Sequence, residues 1–114
     1  MINTSKKVLL VDDEPGILTA LEYLMETNGF EVEKATNGQM ALEKVEDFHP
    51  EIVVLDVMMP GIDGFEVARI LRNNPKFSDL KIIFLTANGT PADKMNGYAK
   101  GGDVYLTKPF DNDE

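Results

Sequence analysis

Two apolar runs in this chain each end in carboxylates. Val8-Leu9-Leu10-Val11 leads into Asp12-Asp13-Glu14, and Ile52-Val53-Val54-Leu55 leads into Asp56. Two further runs end on other reactive groups. Ile82-Ile83-Phe84-Leu85 is followed by Thr86, and Val104-Tyr105-Leu106 by Thr107 and Lys108. Short continuous apolar runs are the pattern of strands covered on both faces. In an open parallel sheet, ligands bind outside the carboxyl ends of the strands. Three carboxylates, a hydroxyl and an amine at that edge suit a hard cation and a phosphoryl group.

The chemistry of such a set can be written from the side chains alone. Carboxylates held within a few ångströms repel one another, and desolvation adds to the cost. Mg²⁺ prefers oxygen ligands, keeps several waters and often bridges to phosphate, so it would offset the charge of the cluster. Asp56 could then attack phosphorus to give an acyl phosphate. Lys108 would supply a point positive charge for a phosphoryl oxygen, and the Thr86 hydroxyl a hydrogen bond. The single histidine, His49, precedes Pro50 at the start of a strand. That puts it in a loop at the opposite edge from the acids, so a Ser-His-Asp mechanism has no base beside the carboxylates.

These residues need a scaffold, and the chain has the pattern of one. Apolar strands alternate with helical stretches, which predicts α/β with parallel strands and right-handed crossovers. The expected strands are 7–11, 32–35, 51–55, 81–85 and 103–106. The first helix starts near Pro15, carries an apolar stripe of Ile17, Leu18, Leu21, Leu24 and Met25, and stops at Asn28-Gly29. Asn37-Gly38 reads as a turn before a second helix marked by Met40, Ala41, Leu42, Val45 and Phe48. Met59-Pro60-Gly61-Ile62-Asp63-Gly64 reads as a loop. The third helix carries Phe65, Ala68 and Leu71 and stops before Asn74-Pro75. Thr90 caps a fourth helix, with Pro91 at its first position, and Gly101-Gly102 ends it.

Length and composition set the outer bounds. At 114 residues the chain is sized for one domain with one core. No apolar stretch approaches a membrane span, and the first seven residues lack a signal-peptide core. Without cysteine there is no disulfide or thiolate metal site, which suits the cytoplasm. A net charge of −9 opposes direct nucleic-acid binding, which needs clustered Lys and Arg.

The pieces Val8-Leu9-Leu10-Val11-Asp12-Asp13-Glu14, Leu55-Asp56-Val57-Met58-Met59-Pro60-Gly61-Ile62-Asp63-Gly64, Leu85-Thr86-Ala87 and Tyr105-Leu106-Thr107-Lys108-Pro109-Phe110 occur in an order that resembles the receiver domain of two-component response regulators. Any one piece is weak; all four at successive strand ends are specific. The resemblance runs from about Lys6 to Phe110. It implies a flavodoxin-like, doubly wound five-stranded parallel sheet of order 2-1-3-4-5. It implies that Asp56 is the phosphoacceptor, that Asp13 ligates Mg²⁺ directly and that Asp12 holds a metal-bound water. The Met58 ligand would be its backbone carbonyl, Thr86 and Tyr105 would form a switch pair, and Lys108-Pro109 would be a cis peptide. The implied partner is a sensor histidine kinase or a phosphotransfer protein, with a homodimer as a further option and neither nucleic acid nor membrane contacted by this domain.

The family pattern also carries a final helix. The expectation is therefore a receiver domain over 1–114, truncated after the fifth strand, whose native chain continues past the helix-start-like Asp111-Asn112-Asp113-Glu114. Two other readings compete. A phosphohydrolase of the haloacid dehalogenase type also uses an Asp nucleophile and Mg²⁺, but it places Asp-x-Asp after its first strand. A flavin-binding flavodoxin would want a phosphate-cradling loop where Asp12-Asp13-Glu14 stands.

Overall fold

The computed structural model describes residues 6–86 and 104–107, the last four and Thr86 through their backbone. Five strands form one parallel sheet: β1 (Lys7–Val11), β2 (Glu31–Ala35), β3 (Ile52–Asp56), β4 (Lys81–Thr86) and β5 (Val104–Thr107). Their order is β2-β1-β3-β4-β5, as the resemblance implies. Three described helices connect them: α1 (Pro15–Thr27), α2 (Gly38–Phe48) and α3 (Gly64–Arg72). The segment expected to form a fourth helix, from Thr90, and the chain after Thr107 lie outside the described residues.

Strand alternation divides the apolar residues between two faces. Leu9, Val11, Val53, Leu55, Ile82 and Phe84 point toward α2 and α3, where they meet Ala41, Val45, Val67 and Leu71. Val8, Leu10, Val54 and Leu85 point the other way, toward Leu18 and Leu21 of α1. Both faces being apolar explains why the runs are continuous rather than alternating. Phe65, in the first turn of α3, meets Phe84 edge to face at 4.9 Å between ring centres. At the far end of α3, Arg72 Nη1 donates to the Leu80 carbonyl at 2.6 Å. These two contacts tie α3 to β4 and to the residue that leads into it.

The element boundaries follow local chemistry. Asn37-Gly38 is not a free turn. Asn37 is the N-cap of α2, its side chain accepting from the Met40 N–H at 2.8 Å, and Gly38 is the first helical residue. Asp63 caps α3 in the same way, accepting from Glu66 N–H at 2.8 Å. Asn-Gly is a turn signal in isolation, but Asn is also among the best N-caps, and the apolar stripe that follows decides between them. Asn74-Pro75 opens a short 3-10 turn, Pro75–Phe77, that buries Phe77. His49 ends α2 in the left-handed conformation, φ 54°, three residues before β3 begins. It therefore sits at the N-terminal edge of the sheet, away from the carboxylates.

Candidate functional site

Strand register brings the acids together. β1 and β3 are paired in parallel with Val11 opposite Leu55. The next step along each strand is Asp12 and Asp56. The Asp12 N–H donates to the Ala35 carbonyl of β2 at 3.1 Å, and the Val57 N–H to the Leu85 carbonyl of β4 at 3.1 Å. Sheet bonds therefore run past both aspartates, fixing their Cα positions before any side chain is considered. By parity Asp56 follows Ile52 and Val54, which belong to the α1 face.

Asp12, Asp13 and Asp56 each offer a carboxylate oxygen within 4.8 Å of the other two. Asp12 is fully buried and Asp56 is 2% exposed, while Asp13 reaches solvent. Burying a carboxylate is costly unless hydrogen bonds or a cation compensate. Part of that compensation is visible: Asp12 Oδ1 accepts from the Glu14 N–H at 2.9 Å. Asp12 is not the N-cap of α1. Glu14 holds that position without a side-chain cap bond, and Pro15 follows at the first turn. Asp12 instead shapes the turn that leads into the helix. All three donors are hard oxygens, with no imidazole or thiolate among them. Such a set fits a hard divalent cation better than a soft one.

The other expected site residues are placed to different degrees. Met58, two residues past Asp56, is 77% exposed while its neighbours Val57 and Met59 are buried at 7% and 8%. Its side chain stands in solvent rather than packing into the core. Thr86 is the last residue of β4, paired with Thr107 of β5, and Tyr105 pairs with Phe84. That puts the backbone of both proposed switch residues on neighbouring strands, Tyr105 two positions before the register of Thr86. Their side chains, and Lys108-Pro109 as a whole, lie outside the described residues.

The loop between β3 and α3 has two tight points that the sequence did not announce. Gly64 N–H donates to Val57 O at 3.0 Å, and a Cβ on Gly64 would collide with the Asp56 carbonyl oxygen. A Cβ on Gly38 would come within 2.8 Å of the Ile62 carbonyl oxygen and 2.9 Å of Val67 Cγ2. The available signal was an N-cap residue directly before each glycine.

The family model of the response regulator receiver domain matches residues 8–114. The chain belongs to the response regulator receiver family. Response regulator Rre1 of Synechocystis is 41% identical to this receiver domain over 108 residues, covering 94% of the chain and 47% of Rre1. The alkaline phosphatase synthesis transcriptional regulatory protein PhoP of Bacillus subtilis is 44% identical over 106 residues, 93% of the chain and 43% of PhoP. The chain thus spans less than half the length of these curated relatives. Among solved structures, the chemotaxis response regulator CheY4 of Vibrio cholerae superposes with a TM-score of 0.89 at 34% identity, covering 94% of this receiver domain and 89% of CheY4. The fold is therefore the α/β receiver fold, and the family is one of signalling proteins. Among the described residues no helix is long and apolar enough to cross a membrane.

Proposed function

We propose that residues 1–114 act as a receiver that takes a phosphoryl group onto Asp56, from a histidine kinase or a phosphotransfer protein, and changes conformation as a result. The observation that carries this reading is the clustering of Asp12, Asp13 and Asp56 within 4.8 Å at one sheet edge, inside a chain of the receiver family. Asp13, Asp56 and the Met58 carbonyl would hold Mg²⁺, with Asp12 placing one of its waters. When bound, the ion neutralises the carboxylates and the incoming phosphoryl oxygens.

The remaining work falls to the chain. An Asp56 carboxylate oxygen attacks phosphorus, the phosphorus bond to the donor's imidazole nitrogen breaks, and its electron pair stays on that nitrogen. The product is an acyl phosphate on Asp56. Lys108 binds a phosphoryl oxygen as a point charge. Thr86 donates a hydrogen bond to another, and Tyr105 on the adjacent strand follows it inward. Two conformations whose balance depends on that group constitute the switch. The only reactions catalysed are phosphorylation and dephosphorylation of the domain itself, in the cytoplasm, with output left to whatever the domain is attached to or binds.

The test is incorporation from acetyl phosphate. One phosphate per chain, dependent on Mg²⁺, is expected. Continuous release of phosphate from small phosphomonoesters over many turnovers would mark a phosphohydrolase instead.

A further inference from the structure

Asp12 and Asp13 directly follow β1, Asp56 ends β3 and Met58 lies in the loop after it, while none of the four is on α2. Yet the start of α2 touches that loop at backbone level. Gly38 lies so close to Ile62 that a Cβ would be 2.8 Å from the Ile62 carbonyl oxygen and 2.9 Å from Val67 Cγ2, with Ile62 Cβ at 3.1 Å. Gly38 is buried, and the two segments line one cleft formed by Asn37, Gly38, Gln39, Pro60, Gly61 and Ile62. At the other end of the loop, Gly64 closes on the backbone of Asp56 and Val57. Residues 57–63 are thus gripped at two points, at Val57 by Gly64 and at Ile62 by Gly38, and Met58 lies between them.

We propose that Gly38 is a positioning residue for the acceptor loop. Its missing Cβ lets the N-terminus of α2 seat against the Ile62 carbonyl, which fixes where the loop presents the Met58 carbonyl relative to Asp56, whose Cα the sheet already holds. The inference rests on the reading of Asp56 as acceptor and extends it to a residue outside the carboxylate cluster. A Cβ at position 38 meets a backbone oxygen and a stiff β-branched side chain, neither of which can swing away. The loop must then shift by several tenths of an ångström. Misplacement by 1 Å can cost about a hundredfold in rate, so half that corresponds on a logarithmic scale to roughly tenfold.

The experiment compares wild type, Gly38→Ala and Gly16→Ala. Gly16 is exposed, and a Cβ there meets nothing within 4 Å, so it controls for the substitution itself. Mg²⁺ affinity is measured by titration, phosphate incorporation from acetyl phosphate by mass spectrometry, and folding by melting in EDTA. Gly38→Ala is expected to bind Mg²⁺ and to label on the order of tenfold more weakly, while Gly16→Ala matches wild type in both. Wild-type behaviour of a folded Gly38→Ala would overturn the proposal. If that variant fails to fold, amide resonances of wild type decide. During the Mg²⁺ titration Gly38 and Ile62 should shift with the same midpoint as Asp13, whereas Gly29, past the far end of α1, stays put. Stationary Gly38 and Ile62 signals would equally overturn the proposal. Wild type that takes no phosphate while the Mg²⁺ and resonance arms behave as expected would defeat the acceptor reading and leave the loop coupling standing.

Discussion

Replacing Asp13 by asparagine removes one charge from the cluster and leaves its shape. Its carboxylate lies within 4.8 Å of those of Asp12 and Asp56. At that separation two unit charges repel by about 0.9 kcal/mol in water and about 3.5 kcal/mol at an effective dielectric constant of 20. Asp13 is exposed, so the water-like limit applies, and salt screening lowers it further. Two such pairs make about 1–2 kcal/mol. At roughly 2.1 cal/mol/K per residue, 114 residues translate 1 kcal/mol into about 4 °C. Asp13→Asn should therefore melt about 4–8 °C above wild type in EDTA. Mg²⁺ at about a hundred times its dissociation constant should stabilise wild type by about 2.7 kcal/mol, or about 11 °C, and should barely move the variant. Differential scanning calorimetry in EDTA and in Mg²⁺ reads all four values. A variant that melts no higher than wild type in EDTA would show that Asp13 is not repelled there, and one that keeps the full Mg²⁺ shift would show that it is no ligand.

Two other outcomes are expected. Met58, exposed two residues past Asp56, offers bulk and no strong hydrogen bond to orient water, so Met58→Asn should lose phosphate from Asp56 faster than wild type; an equal or slower decay, followed by mass spectrometry, would contradict a shielding role. His49 holds a left-handed conformation at φ 54° on an exposed helix end, where glycine carries no Cβ penalty, so His49→Gly should raise stability by about 0.5–1 kcal/mol, and an unchanged or lower urea midpoint would show that the strain is absent.

Much of this arrangement was legible in the sequence because strand and site information coincide. Continuous apolar runs such as Val8–Val11 and Ile52–Leu55 mark two-sided strands, and the polar residue that ends each run marks the functional edge. The neighbour relation between β1 and β3 was not legible from those runs; it came with the resemblance and is seen in the pairing of Val11 with Leu55. Boundaries moved by a residue or so where capping overrode turn chemistry, as at Asn37-Gly38. The 3-10 turn at Pro75–Phe77 escaped because three residues carry no periodicity. The contact of Gly38 with Ile62 was illegible for a different reason. It depends on how closely α2 crosses a loop 24 positions away in the chain, and no local pattern encodes that distance.

Mass spectrometry of the chain after acetyl phosphate treatment decides whether Asp56 receives the phosphoryl group. The expected result is a single added phosphate mapped to Asp56, absent in EDTA and absent in Asp56→Asn. Undiminished labelling of Asp56→Asn, or a phosphate mapped to another residue in wild type, would contradict the account.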